Sequence, residues 1–225
     1  MSNEVQISLK NVNKSFGAHH VLNDVNIDIN KGDFICIFGK SGGGKTTLLN
    51  ILGTLETYDN GEMRSFEKLD PIKKKKKKEC ELLRRNNIAY LFQNFALVEK
   101  MTVEDNMKLA VKYNKAKNKK ELIQTALDKM GVGDKLKSKV YELSGGEQQR
   151  VAIARNMVKP FDIMLADEPT GSLDDENKSI VIDTLLALNK EGKTIVVVSH
   201  DKDFKKIASK SYLISEGKLE VLNEA

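Results

Sequence analysis

The stretch Gly39-Lys-Ser-Gly-Gly-Gly-Lys45-Thr46 fits the pattern G-x-x-x-x-G-K-[ST]. Each residue type has a chemical reason to be there. Glycines at 39, 42, 43 and 44 let the backbone turn tightly and aim successive N–H groups at phosphate oxygens. A helix starting just behind them adds its positive N-terminal end. Lys45 can reach β and γ phosphates, and the Thr46 hydroxyl can coordinate Mg²⁺. A chance glycine-rich turn is the bland alternative. The context weighs against it, because an apolar strand ends at Phe38 and an amphipathic helix starts near Lys45.

Two further patterns carry chemistry. Ile163-Met-Leu-Ala166 runs into Asp167-Glu168, an apolar strand ending in two carboxylates. Asp167 can hold Mg²⁺ opposite the phosphate loop, and Glu168 can act as a general base on an attacking water. In parallel α/β sheets ligands sit at the carboxyl ends of strands, where both motifs fall. Leu143-Ser-Gly-Gly-Glu147 first reads as a capping box, with Ser144 and Glu147 starting a helix. Two glycines in a first turn are nevertheless poor helix formers. Gly145 and Gly146 make sense if bare backbone amides, a serine hydroxyl and a helix dipole must converge on an anion such as a γ-phosphate.

The elements that must position these groups are legible as hydrophobic periods. Val25, Ile27 and Ile29 alternate with polar residues as in a half-buried strand, and Phe34–Phe38 is a fully apolar one. Residues 74–86 read as a surface helix and Ile88–Phe92 as a short buried strand. Helical spacing spans 102–130, broken near Asn114–Asn118. From Ser144 on, a helix (145–158), a strand (161–166), a helix (174–190), a strand (194–199) and a short helix (201–209) alternate, with a terminal strand pair around Gly217. This alternation predicts right-handed βαβ units and a parallel sheet. The charged stretch from about 56 to 135 reads as a smaller, more helical inserted lobe.

Composition narrows the class. The chain has 225 residues, 40% hydrophobic and 31% charged, which suits one domain with a sizeable core. Its net charge of +5 is concentrated in residues 73–85, whose local balance of +6 leaves the other 212 residues at −1. The lysine run Lys73–Lys78 reads as a solvated helix face or an attraction to anionic lipid, not as a nucleic-acid footprint. No apolar run approaches the ~18–20 residues that cross a bilayer, and no signal-peptide pattern opens the chain. Cys36 and Cys80 fit neither a disulfide framework nor a zinc site, and an intracellular setting is expected. Cys36, inside an apolar run, is expected to pack as a small hydrophobe.

Over essentially its full length the chain resembles the ATP-binding cassette family, in its nucleotide-binding subunit. The three motifs stand in the family's order, and other positions match. Gln93 stands at the Q-loop glutamine, Ser172-Leu-Asp174 at the D-loop, His200 at the switch histidine, and Phe16 where an aromatic residue stacks on adenine. Gly43 replaces a more usual serine and Thr46-Thr47 replaces Ser-Thr, without loss of a phosphate donor or the metal hydroxyl. The resemblance implies an α/β fold: a P-loop NTPase core with a mainly parallel sheet, an N-terminal antiparallel β portion and a helical subdomain. One cassette domain would cover 1–225, with the core at about 1–90 and 136–225 and the helical subdomain at about 91–135.

It also implies the site. ATP would be bound by Phe16, Gly39, Lys40, Ser41, Gly42, Gly43, Gly44, Lys45, Thr46 and Thr47, with Mg²⁺ held by Thr46, Gln93 and Asp167. Glu168, His200 and Gln93 would carry catalysis. Ser144, Gly145, Gly146 and Glu147, with Asp174 in the D-loop, would complete the site of the opposite protomer in a homodimer closed by ATP. The ATPase would sit peripherally on the cytoplasmic face of the membrane and drive an integral-membrane permease, with no nucleic-acid partner. The pattern Phe92–Leu97 together with Glu147-Gln-Gln-Arg150 and Leu165–Asp174 resembles the branch of macrolide-exporter and lipoprotein-releasing ATPases. Leu91–Glu99 leans toward bacteriocin-export ATPases. The alternatives are a mechanotransmission or cell-division cassette that moves no solute, and a soluble non-transport cassette.

Overall fold

Strand β3 (Phe34–Phe38) is buried on both faces, and this explains its unbroken apolar run. Phe34 and Cys36 point into one hydrophobic core, Ile35 and Ile37 into another. The same division recurs in β7 (Ile163–Asp167) and β8 (Thr194–Val198). There Met164, Ala166, Ile195 and Val197 face one core, and Ile163, Leu165, Val196 and Val198 face the other. Burying one such Val or Ile is worth about 1.5–3 kcal/mol. The computed structural model describes residues 4–72, 77–171 and 173–224.

These strands are the centre of a six-stranded sheet. Its order is β10-β9-β3-β8-β7-β6, where β6 is Ile88–Leu91, β9 is Lys210–Ser215 and β10 is Lys218–Glu224. Pairing is parallel from β9 through β6, and only the edge strand β10 runs antiparallel. A second, antiparallel sheet has the order β2-β1-β4-β5. It comprises β1 (Val5–Phe16), β2 (His19–Asn30), β4 (Asn60–Ser65) and β5 (Lys68–Leu69). Its buried face, with α1 (Lys45–Leu52), fills the core on one side of the parallel sheet.

On the other side lie α3 (Val103–Val111), α4 (Lys119–Lys129), α5 (Gly145–Met157) and α6 (Asp175–Lys190). The other α-helices among the described residues are α2 (Lys77–Asn86) and the five-residue α7 (Asp203–Ile207). Cys36 is fully buried and its thiol pKa is pushed up, chiefly by burial, so it packs as an apolar side chain. No helix among the described residues is long and apolar enough to cross a membrane.

One expectation is corrected. Residues 60–69 do not belong to a helical insert; they form β4 and β5 of the antiparallel sheet. Met63 and Ser65 are buried while Glu62 and Arg64 are exposed, a period of two that the high charge obscured. Gly61, at φ +104°, is required because a Cβ there would lie 2.5 Å from the Asn11 carbonyl oxygen. Helix α7 is also shorter than expected. Of the lysine run, Lys77 and Lys78 open α2, and Lys73–Lys76 lie outside the described residues.

Candidate functional site

The site grows from how α1 begins. Helices α3, α4, α5 and α6 start under side-chain caps, from Thr102, Asn118, Ser144 and Asp174. Helix α1 has none. Its N-cap is Gly44 in the left-handed region, and no acidic residue lies in its first turn. An uncapped helix N-terminus presents free N–H donors and a positive dipole end, which suits an anion. Gly39 is fixed by space, since a Cβ there would lie 2.6 Å from the Ile214 carbonyl oxygen. Lys45 folds back over the loop, its Nζ donating to the carbonyls of Gly39 at 2.8 Å and Lys40 at 3.2 Å.

The two carboxylates arrive from β7. Asp167 is the last residue of the strand, and burial raises its pKa, aided by the nearby Glu168 charge and opposed by Thr46 and Lys45. Its Oδ1 is buried with no hydrogen-bond partner. Glu168 turns out of the strand with φ +46°, a left-handed conformation that costs a side-chain-bearing residue about 1 kcal/mol. Its backbone N–H donates to the Val198 carbonyl at 2.9 Å, binding the turn to the end of β8. Glu168 Oε1 lies 3.7 Å from Lys45 Nζ, and Oε2 lies 3.0 Å from His200 Nδ1.

These groups line one cavity of about 350 Å³. Ser41, Gly42, Gly44, Lys45, Thr46 and Thr47 come from the loop and α1, Asp167 and Glu168 from the end of β7, Gln93 from beyond β6, and Phe16 from the end of β1. Gly39, Lys40 and Gly43 shape the loop behind that lining. His200 stands at the rim, mostly exposed and attached through Glu168. His19 and Val21 of β2 also line the cavity and were not anticipated. The signal was a two-residue turn: Gly17, at φ +60°, joins β1 to β2 and brings His19 opposite Phe16. Phe16 is half exposed, and the Lys14 ammonium sits 4.7 Å from its ring centroid. Lys14 is itself anchored to Glu56 Oε1 at 2.8 Å.

The remaining sites lie outside this lining. Ser144 and Glu147 form the anticipated capping box, with the Glu147 N–H donating to Ser144 Oγ and the Ser144 N–H donating to Glu147 Oε2 at 2.8 Å. Gly145 is open, whereas a Cβ on Gly146 would press on Asn177. Asp174 caps α6 by accepting from the Asn177 N–H at 2.8 Å. Ser172 lies outside the described residues. Gln149 on α5 donates to the Pro169 carbonyl at 2.7 Å, tying this helix to the turn that follows Glu168.

A glycine-rich loop feeding an uncapped helix, faced by two carboxylates at the end of one strand of a parallel sheet, defines a P-loop nucleoside triphosphatase. The class is narrower still: residues 22–171 match the family described as ABC transporter, and the chain belongs to that family, as an ATP-binding cassette ATPase. It is 40% identical over 216 residues to the macrolide export ATP-binding/permease protein MacB of Campylobacter jejuni. That match covers 95% of this chain and 33% of the relative, so the chain spans about a third of MacB. It is 37% identical to the lipoprotein-releasing system ATP-binding protein LolD of Aquifex aeolicus, over 93% of this chain and 94% of that one. The solved dimeric structure of MJ0796, a bacterial ABC transporter cassette, superposes with a TM-score of 0.88 at 32% identity, covering 97% of this chain and 100% of that one. MJ0796 has also been solved as a post-hydrolysis dimer bound to ADP and Pi.

Proposed function

We propose that the chain binds ATP in the Phe16–Glu168 cavity and hydrolyses it as a homodimer, on the cytoplasmic face of the membrane, to power export through a separate permease. The observation that carries this is the convergence on one cavity of an uncapped helix start, Lys45, and the Asp167–Glu168 pair. Phe16 stacks on the adenine face. The backbone N–H groups from Lys40 to Thr47 surround the phosphates, and Lys45 leaves its two carbonyl partners to meet the β and γ oxygens.

The residues fit Mg²⁺. Asp167 Oδ1 is a buried carboxylate oxygen without a partner, the carboxyl pKa is raised chiefly by burial, and the Thr46 hydroxyl and Gln93 amide supply further hard oxygen ligands. Bound there by Thr46, Asp167 and Gln93, Mg²⁺ would neutralise charge on the β and γ phosphates. Glu168 accepts the proton of the attacking water as its oxygen bonds to the γ-phosphorus and the bond to the ADP oxygen breaks. His200 steadies the carboxylate through Nδ1 and leaves Nε2 for the γ-phosphate side.

The second half of each site comes from the partner. Ser144 Oγ accepts from Glu147 N–H in the cap, so its own hydrogen is left to donate to a γ-phosphate oxygen across the interface. Gly145 and Gly146 add backbone donors, and Asp174 lies beside them at the start of α6. Closing two phosphate-rich ligands between protein faces needs these donors. Glu168→Gln tests the reading: turnover should fall at least about a hundredfold while MgATP converts the variant to a dimer in size-exclusion chromatography. Near wild-type hydrolysis would remove Glu168 as the base.

For the cargo, the segment Leu91–Glu99 supports export of a peptide bacteriocin, or protection against one. With its permease reconstituted in vesicles, the ATPase should be stimulated by such a peptide. Stimulation by a macrolide or a lipoprotein alone would overturn that choice.

A further inference from the structure

The loop carrying Gln93 leaves β6 and contains two consecutive residues in the left-handed region, Phe95 at φ +62° and Ala96 at φ +47°. Neither is glycine, and a residue with a side chain keeps a left-handed conformation only where its surroundings hold it there. The holding group is Arg155, in the last turn of α5. Its Nη1 donates to the Ala96 carbonyl at 2.6 Å and its Nη2 to the Phe95 carbonyl at 3.0 Å. The left-handed turn points both carbonyls at one planar fork, a geometry that a guanidinium matches and an ammonium does not.

The loop is fixed on both flanks as well. Asn156, next to Arg155, donates to the Tyr90 carbonyl at 3.1 Å, just before Gln93. Asn106 on α3, fully buried, accepts from the Val98 N–H at 2.8 Å and donates back to the Val98 carbonyl at 3.1 Å. Between these anchors Gln93 and Asn94 are exposed, and Gln93 lines the cavity.

We infer that Arg155 is a positioning residue: its guanidinium holds the Phe95–Ala96 turn in its left-handed form and thereby sets Gln93 against the nucleotide. The helix that opens with Ser144 thus closes on the Gln93 loop of the same chain, so the two parts of the ATP machinery move as one body. This rests on the proposed contact of Gln93 with the γ-phosphate and Mg²⁺ side of the nucleotide.

The test uses the whole chain with MgATP and four variants: Arg155→Met, Arg155→Lys, Gln93→Ala, and Gln93→Ala with Arg155→Met. Arg155→Met should lower kcat roughly tenfold and leave KM for ATP within about twofold. In the Gln93→Ala background it should lower kcat no further. Hydrogen exchange supplies a second readout, because the Phe95 and Ala96 amides donate to the Phe92 and Asn94 carbonyls. In Arg155→Met they should exchange roughly tenfold faster while the interior of α5 is unchanged. Arg155→Lys can satisfy one carbonyl and should fall between, and it carries the same readouts if the Met variant does not fold. A wild-type kcat, a loss that multiplies that of Gln93→Ala, or unchanged exchange at Phe95 and Ala96 overturns the inference. If Gln93→Ala alone keeps wild-type kcat, the proposed role of Gln93 is what fails, and the clamp is then judged on the exchange rates alone.

Discussion

Glu168 and His200 meet at 3.0 Å, Oε2 to Nδ1, and the backbone that delivers the carboxylate is held at φ +46°. A left-handed glutamate at the end of a buried strand is a local strain tolerated where a carboxylate is needed, which separates its chemical role from its conformational cost. Glu168→Ala and Glu168→Gly should both be inactive. The glycine variant should be the more stable, by about 1 kcal/mol, because only glycine adopts this φ freely. Urea unfolding of the pair measures it, and equal midpoints would show that the φ carries no strain.

Gly39 and Gly42, two of the four glycines of the phosphate loop, differ in kind. Gly39→Ala puts a Cβ 2.6 Å from the Ile214 carbonyl oxygen and 2.7 Å from Ile214 Cγ2, so either the loop or β9 must shift. A loss of about 1–3 kcal/mol in stability and weaker ATP binding should follow. At Gly42 a Cβ meets nothing within 4 Å, and only its φ of +76° opposes substitution. Gly42→Ala should cost about 1 kcal/mol, with a smaller change in nucleotide affinity. Calorimetric titration with an ATP analogue and thermal melts separate the two.

Lys14 sits under the Phe16 ring and is fixed by Glu56. A cation on one face orients the ring and draws electron density from the face offered to a purine, an effect of about 0.5–2 kcal/mol. Lys14→Met should raise KM for ATP about two- to tenfold with kcat little changed. Phe16→Ala should raise it at least as much. A kcat loss in Lys14→Met with unchanged KM would refute this arrangement.

Lys178 of α6 bridges to Asp201 at 2.8 Å and Asp203 at 2.6 Å, joining that helix to the turn after His200. Hydrogen bonds from Lys178, then Lys206, hold the Asp203 pKa at about 2. A depressed carboxyl pKa stabilises the fold above the unfolded value of ~3.9, and that contribution is lost as pH falls through about 2. An NMR titration should place the Asp203 midpoint near 2, and Lys178→Met should move it back toward the ordinary value. An Asp203 midpoint that stays put in Lys178→Met would show that the bridge does not form in solution.

Most of the candidate cavity's lining is legible in the sequence because its parts are local. A glycine loop must precede its helix, and Asp167-Glu168 must follow its strand, so spacing alone brings their chemistry into view. The double burial of β3, β7 and β8 is equally local, written as runs such as Thr194-Ile-Val-Val-Val198. What escaped is long-range. Arg155 reads as an ordinary charge on a helix, and nothing near it announces a bond to a carbonyl 59 residues away. His19 becomes part of the cavity only through the hairpin register that sets it opposite Phe16. Residues 60–69 do not read as strands because their charges mask an alternation whose partner strand, β1, lies some fifty residues earlier.

The ammonium of Lys45 already has three oxygen neighbours, two of them backbone carbonyls of its own loop. A triphosphate bound as proposed would therefore not fill an empty socket; it would trade places with contacts the protein makes to itself. Association is an exchange in which the old bonds offset much of the new, and the net affinity is smaller than a count of phosphate contacts suggests. On the proposed reading, loss of the γ-phosphate would return the lysine to these same internal partners, so release of spent nucleotide would leave no bare charge behind.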